Sequence, residues 1–294
     1  MENTPLPSAH AEPVLRPMRA ADIPFAHALR QIAGWNQSEH DWRGYLEFEP
    51  DGCFIAEVAG RPAGTATTIR YDDRFGWIGM VLVHPDFRRL GIGTRLLQHA
   101  IAYLQARGVR CIKLDATPMG RAVYVPLGFI DEYELARLEG TAPAVTGAVP
   151  AGVTALVSAD LPAIERLDAA VFGAGRARVL ASLSRRIAEW CVVARTPAGV
   201  AGYLIARQGA STVQVGPWVA ENAIVAEALL QGFFARAAGR RVFIDVVSPN
   251  PAAAEMVKRA GFTVQRTLTR MFLGENAHPG DPTRVFGVSS PEKG

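Results

Sequence analysis

The chain has 294 residues, 49% hydrophobic and 20% charged, the composition of a soluble globular protein with room for two domains. Its 31 basic and 28 acidic residues leave a formal charge of only +3, too balanced for a nucleic-acid binder. No uninterrupted apolar run approaches the roughly 18 residues a membrane span needs, and the three separated cysteines, Cys53, Cys111 and Cys191, show neither CxxC nor Cys/His spacing. A disulfide framework and a metal site are therefore not expected. The opening MENTPLPSAHAEP lacks the apolar core of a signal peptide, so the expectation is a cytoplasmic protein without membrane or nucleic-acid partners.

In chain order, Val14–Met18 reads as a short strand, and Asp22 can cap a helix with Pro24 in its first turn. Two early helices then give way to a hairpin, Cys53–Val58 and Ala63–Tyr71, around Ala59-Gly60-Arg61-Pro62. Trp77–Val83 is a nearly continuous apolar run, as a strand buried on both faces requires. Ile92, Leu96, Leu97, Ala100, Ile101 and Leu104 recur at helical spacing until Gly108. Arg110–Ala116 is a further strand, Gly120–Val125 a short helix, and Phe129 opens a closing strand. The order predicts a mixed α/β fold.

The chain then repeats itself. Ala21-Asp22-Ile23-Pro24 and Leu29 recur 138 residues later as Ala159-Asp160-Leu161-Pro162 and Leu167, and Ala56 and Gly64 recur as Ala194 and Gly202. Pro85, Gly108 and Asp115 face Pro217, Gly239 and Asp245 at offsets of 130 to 132, and Leu127-Gly128-Phe129 faces Ala260-Gly261-Phe262 at 133. Two copies of one fold are expected, residues 13–140 and 150–273, joined by the small, Pro/Gly-rich Glu139–Gly152. Residues 274–294 are expected to form an irregular tail, with Val285–Val288 available to dock.

The chemistry gathers in HPDFRRLGIGTRLL, His84–Leu97. A buried strand that ends in a glycine-containing loop and opens a helix leaves backbone N–H groups free for an anion. Glycine allows close approach and positive φ, and Arg88 and Arg89 add charge beside the turn. A P-loop pattern is absent, and the dinucleotide fingerprint fails because Leu96 stands where its third glycine belongs. The pattern present is Arg88-x-x-Gly91-x-Gly93.

That pattern, the preceding Val83-His84-Pro85, the amphipathic helix after it and the downstream Tyr-x-x-x-Gly-Phe together resemble the GNAT superfamily of N-acetyltransferases. The resemblance runs through residues 13–140, and LDATPMGRAVYVPLGF is similar to tandem GNAT proteins with a divergent second domain. It implies two GNAT-like domains, each a partly splayed mixed sheet flanked by helices, with acetyl-CoA as co-substrate and no metal. By resemblance, Val81, Leu82 and Val83 face the pantetheine arm and acetyl carbonyl, with a bulge-like N–H near Leu82 as oxyanion donor. Arg88 opens the phosphate loop, and Arg89, Leu90, Gly91, Ile92, Gly93 and Thr94 supply its amides. The strands expected to splay are Trp77–Val83 and Arg110–Ala116.

Tyr124 is the catalytic candidate implied by the same resemblance, a phenol near the departing sulfur. Trp35 and Asn36 fall where the family builds part of its acceptor site. Some members carry a glutamate on the strand before the phosphate loop; Trp77–Val83 has none, and Glu47, Asp72, Asp73 and Asp115 are the substitutes considered, with no base assigned. In the second copy, Pro85 on Pro217 sets Ala220, Ala223 and Val225 against Arg88, Gly91 and Gly93, and Val257 against Tyr124, so that copy is expected to be degenerate. The expected activity is transfer of acetyl to a primary amine of a small molecule by direct attack. The alternatives are a non-catalytic acyl-CoA sensor and a protein or peptide acetyltransferase. The oligomeric state is left open.

Overall fold

In the computed structural model, which describes residues 12–145 and 147–294, a mixed sheet of 13 strands runs through both halves of the chain. The reading of the first eleven residues as free of a signal sequence lies outside the described part. The first half contributes β1 (Val14–Pro17), α1 (Ile23–Ile32), α2 (Glu39–Phe48), β2 (Cys53–Val58), β3 (Arg61–Tyr71) and β4 (Phe75–Val83). It continues with α3 (Ile92–Gln105), β5 (Cys111–Ala116), α4 (Pro118–Tyr124) and β6 (Ile130–Thr141). The hairpin turn is tighter than the sequence suggests: Ala59 and Gly60 both take positive φ, so β3 starts at Arg61. Helix α4 starts early because Thr117 Oγ1 accepts the Gly120 N–H at 3.1 Å and Pro118 suits the first turn.

The second half repeats this order: β7 (Val153–Ala155), α5 (Leu161–Phe172), α6 (Ala177–Ser184), β8 (Val192–Thr196), β9 (Gly199–Gln208) and β10 (Val213–Ala220). Then come α7 (Ala223–Ala237), β11 (Arg241–Val247), α8 (Pro251–Arg259), β12 (Thr263–Gly274) and β13 (Val285–Gly287). Small details recur with the elements. Asp22 accepts the Arg19 N–H at 2.7 Å and Asp160 the Val157 N–H at 2.9 Å, tying down the same helix entrance twice.

Strand order is β1-β2-β3-β4-β5-β12-β6-β11-β10-β9-β8-β7, with β13 against β10. The closing strands are thus exchanged. β12 of the second half lies beside β5 of the first, and β6 of the first lies beside β11 of the second. Two buried ion pairs related by the repeat span these borrowed edges. Arg137 on β6 grips Asp245 on β11 at 2.8 and 2.7 Å, and Arg270 on β12 grips Asp115 on β5 at 2.8 and 2.9 Å. Each is a two-pronged guanidinium–carboxylate contact, the geometry that best offsets desolvation.

Helices α3 and α7 lie over separate cores, one per half. Leu96, Leu97, Ala100 and Leu104 turn the apolar stripe of α3 onto the first half, each buried large side chain contributing roughly 1.5–3 kcal/mol. A third core joins α1 and α2 to α5 and α6, so the halves also share their interior.

The segment after β12 is no loose extension. β13 pairs with β10, and Val288–Gly294 runs between the halves with Ser289, Ser290, Glu292 and Lys293 buried. Trp77 Nε1 donates to the Pro291 carbonyl at 3.0 Å, and Tyr71 Oη to the Lys293 carbonyl at 2.6 Å. Lys293 Nζ donates to Asp41 Oδ1 at 2.9 Å and Glu292 Oε1 at 2.7 Å. Burial pushes the Glu292 carboxyl up, but Lys293 and Arg207 overcome it and hold the group down to about 2. Burial is likewise outweighed at Asp41, where Lys293, Arg207 and Arg186 keep the carboxyl well below its usual range. A polar tail sequence becomes interior because its charges are paired there.

Two outcomes follow from this architecture. Arg137→Met should cost about 3–5 kcal/mol in urea unfolding, by leaving Asp245 buried without its guanidinium, and both halves should unfold in one transition; a two-step curve would show that the exchanged strands do not couple them. Because the Glu292 carboxyl is depressed in the fold, its contribution is complete above its ordinary value of 4.5 and declines as pH falls toward about 2. Glu292→Gln should therefore flatten that part of the stability–pH curve, read by thermal melts.

Candidate active site

Strands β4 and β5 run parallel but pair only at Gly76↔Ile112 and Trp77↔Lys113. Beyond Trp77 they part, and β4 continues to Val83 paired only with β3. On its other edge β12 pairs with β5 from Cys111 to Ala116 and keeps it in the sheet, while the alternate β5 groups that face β4 are left open beyond Lys113. The splay expected from the sequence is present, and its open side begins at Gly79.

The β4 backbone bulges there. Met80 takes φ 51°, and the register against β3 slips between Thr65↔Leu82 and Thr67↔Gly79. Thr65 Oγ1 donates to the Met80 carbonyl at 2.8 Å. A trans peptide sets N–H opposite C=O, so this bond aims the Val81 N–H away from Thr65. The bulge thus lies one to two residues before Leu82, where the sequence reading put it.

At the end of β4, Val83 leads into His84–Gly91 and then α3. Arg89 and Gly91 both take left-handed conformations, φ 64° and 73°, which fold the loop back over the helix start. Among the described residues, the N–H groups of Arg89, Leu90, Gly91, Ile92, Gly93 and Thr94 have no hydrogen-bond acceptor. Six consecutive donors and the α3 dipole make an anion cradle. Arg88 and Arg89 are exposed beside it, and Arg88 Nε reaches the Val83 carbonyl at 3.3 Å. A Cβ on Gly93 would stand 3.6 Å from Val83, on the side where a ligand would pass between loop and strand.

Tyr124 ends α4, half-buried beside Phe129 and the same core as Val81 and Val83. Its hydroxyl has no hydrogen-bond partner among the described residues, and burial pushes the phenol up to about 12, so it is a proton donor at neutral pH. A Cβ at Gly120 would come within 3.1 Å of the ring, so this glycine leaves the tyrosine its space. The cysteines are unsuited to attack: burial pushes Cys53 up to about 12 and Cys111 and Cys191 to about 11.

Comparison with known proteins fits this geometry. The acetyltransferase (GNAT) family model matches residues 23–129, and an acetyltransferase (GNAT) domain model matches residues 164–287. The chain is a tandem GNAT protein. It is 25% identical over 261 residues to the holothin acyltransferase of a Pseudoalteromonas strain, covering 88% of this chain and 87% of that one. A candidate acetyltransferase from Pyrococcus horikoshii superposes with a TM-score of 0.81 at 25% identity over 96% of both chains. A tandem GNAT protein of the clavulanic acid biosynthesis pathway shares the fold at TM-score 0.60 and 17% identity, over 90% of this chain and 98% of that one. These relationships make the protein an acyltransferase of the GNAT class.

The second GNAT domain lacks the cradle for a different reason than the sequence alignment gave. Gly64 faces Val83 across β3–β4 as Gly202 faces Ala220 across β9–β10, which sets Met80 against Pro217 and displaces the earlier pairing with Pro85. The eight-residue loop His84–Gly91 is then matched by Glu221 and Asn222 alone. The loop is deleted, so the second domain has no counterpart of the donors from Arg89 to Gly91. The match of Tyr124 with Val257 stands, because the N–H of Phe129 bonds the Tyr124 carbonyl as that of Phe262 bonds the Val257 carbonyl, both at 3.3 Å.

The remaining candidates are brought together differently. Asn36 is buried against the second domain: its Nδ2 donates to the Thr212 carbonyl at 2.9 Å and its Oδ1 accepts the Ser211 and Thr212 N–H groups at 3.2 Å. Trp35 packs half-buried on the shared core. Asp115 is committed to Arg270, and Asp72 accepts the Gly175 N–H at 2.6 Å, while Glu47 and Asp73 are exposed. Sequence reading missed Val288–Gly294, which lies on β4 itself: a Cβ at Gly79 would collide with Glu292 at 2.7 Å. The alternation of small Gly79 with bulky neighbours was the one local sign of that contact. No group of three His, Cys, Asp or Glu able to hold a metal occurs among the described residues, and no helix there is long and apolar enough to cross a membrane.

Gly91→Val forces a β-branched side chain into the left-handed region at φ 73°, and should cut pyrophosphate or CoA affinity by at least about tenfold while also costing about 1–2 kcal/mol of stability from backbone strain alone, since no neighbour lies within 4 Å of the new Cβ. Calorimetric titration with CoA measures it.

Proposed function

We propose that the first domain transfers acetyl from acetyl-CoA to a primary amine of a small molecule, by direct attack with both bound. The observation that carries this reading is the run of free N–H donors from Arg89 to Thr94 at the open end of the β4–β5 fork, with the Tyr124 hydroxyl unpartnered near the same core. The donor set suits a pyrophosphate: backbone amides, a helix N-terminus and two exposed arginines. In this proposal residues 13–140 are the working domain and 150–273 a degenerate partner, each borrowing the other's last strand.

Acetyl-CoA would supply the activated acyl group as a thioester. Arg88, Arg89 and the amides through Thr94 hold its phosphates. The stretch Val81–Val83, which has β3 on one edge and no neighbour on the β5 side, offers backbone groups to the arm, and the Val81 N–H, fixed by Thr65, polarises the acyl carbonyl. Tyr124 gives its proton to the departing sulfur. The inert thiols favour direct attack over a cysteine-bound intermediate. The second domain and Val288–Gly294 cover the face opposite α3, which supports a small acceptor over a protein chain.

Tyr124→Phe should lower kcat by about a hundredfold or more while acetyl-CoA affinity stays within about twofold. With the phenol near 12, the wild type should show no alkaline fall in kcat from this group below pH 11 or so. Steady-state thiol release across pH tests both. Wild-type turnover in the variant removes Tyr124 from the mechanism, and acetyl-CoA binding without thiol release from any amine would leave a sensor.

A further inference from the structure

The kink in β4 is strained, and it has two supports. A methionine at φ 51° occupies a region that side chains with a Cβ rarely adopt, and it persists there only where the surroundings over-determine it. Thr65 is the first support. It is fully buried on β3, it faces Leu82, and its hydroxyl donates to the Met80 carbonyl at 2.8 Å. That bond sets the plane of the Met80–Val81 peptide, and with it the direction of the Val81 N–H.

The second support arrives from the other half of the chain. Val288–Gly294 crosses the sheet face opposite α3 as a strap, and guanidiniums of the second domain hold both its ends. Arg207 Nη1 donates to the Ser289 carbonyl at 3.0 Å, and Arg176 Nη1 to the Gly294 carbonyl at 2.8 Å. The middle is held by the first domain, through Trp77 Nε1 on the Pro291 carbonyl and Tyr71 Oη on the Lys293 carbonyl. Between those two anchors the Glu292 backbone lies on Gly79, where a Cβ would come within 2.8 Å of its carbonyl oxygen and 3.0 Å of its Cα. Gly79 immediately precedes the kink. The strap therefore blocks β4 from rising on this face just before Met80.

The second domain has the strap but not the hydroxyl. Its own bulge also lies under the strap, with Val288 covering Gly216. There Tyr203 faces Val219 as Thr65 faces Leu82, and its hydroxyl is turned to Asp168 instead. Strands β9 and β10 pair around their bulge without such a bond, so closing the sheet does not require one. The threonine lock exists only in the half that keeps the phosphate cradle.

We propose that Thr65 and the strap are positioning elements for acyl transfer, holding the Met80 kink so that the Val81 N–H stays aimed at the thioester carbonyl. This rests on the acetyl-transfer reading and gives the second domain a part in the chemistry, as the frame that carries the strap. Negative charge develops on the carbonyl oxygen as the amine attacks, and a donor already aimed there needs no reorganisation at that moment. The phosphates are held beyond the other end of β4, at Arg89–Thr94, so rate and cofactor affinity should separate.

Thr65→Val keeps the shape and removes the donor. It should lower kcat about tenfold or more, while acetyl-CoA affinity by calorimetry stays within about twofold. Thr65→Ser, which keeps the hydroxyl, should recover most of the rate. Trp77→Phe frees the Pro291 carbonyl and should lower kcat several-fold at unchanged affinity. Infrared difference spectra of bound acetyl-CoA with a carbon-13 label at the thioester carbonyl read the donor without turnover. The carbonyl band should lie at lower frequency in wild type and Thr65→Ser than in Thr65→Val and Trp77→Phe, a shift that a packing role would not produce. An unchanged band and kcat in Thr65→Val would overturn the role of the hydroxyl, and the same result in Trp77→Phe that of the strap, with the transferase left intact. Loss of acetyl-CoA affinity as large as the loss of kcat would mark a packing defect and overturn the inference too. Failure of the wild type to bind acetyl-CoA would overturn the transferase reading itself, and this inference with it.

Discussion

Everything at the fork depends on where β5 finds its hydrogen bonds. A parallel strand in a sheet normally needs both neighbours, and one that parted from β4 alone would expose a row of unpaired amides. Here β12 arrives from the other half of the chain and pairs with the far edge of β5 over its whole length, so β5 stays in the sheet while β4 diverges after Trp77, and the alternate β5 groups that face the gap are left for a ligand or water. The gap that could admit a ligand is therefore held open by a borrowed strand. The Arg270–Asp115 pair pins that strand in register, and Arg137–Asp245 does the same on the far side.

The interior between the halves is unusually ionic, and the chemistry of its charges is consistent. Asp41, Asp115, Asp168, Asp245 and Glu292 are all buried and all bonded to Arg or Lys side chains. Removing one member leaves the other charged and unpaired in a poor solvent, which makes these pairs strong determinants of geometry even where their net stabilisation is small. They also use up the carboxylates that could have served as bases. The missing base near β4 and the ionic interior thus have one physical origin.

Much of this was legible in the sequence because it is local. The cradle rests on glycines and arginines within six residues, and the apolar run of β4 and the stripe of α3 announce their elements directly. The repeat was legible too, through Asp22 and Asp160 or Gly128 and Gly261, whose backbone roles recur. The exchange of strands was not. β6 and β12 have almost the same burial pattern, so either could complete either half by side-chain pattern alone, and only the pairing tells them apart. Ser289-Ser290-Pro291-Glu292-Lys293 reads as a solvated tail because its partners, Asp41, Tyr45 and Gln37, lie some 250 residues away. The match of Pro85 with Pro217 failed for a related reason: two prolines agreed in type while the strand register, invisible in one dimension, set Pro217 on the bulge.

A loop deletion in one copy is tolerable only because of how the copies are connected. A homodimer with the same exchanged strands would have the same sheet, but a single gene would write both halves, and any loss would strike both cradles at once. Joined in one chain by Ala142–Gly152, the partners meet at a fixed effective concentration and are free to diverge. One can specialise in holding a strand and bracing a bulge while the other keeps its loop. The linker is thus what separates the evolutionary fates of two halves that the sheet makes mechanically inseparable.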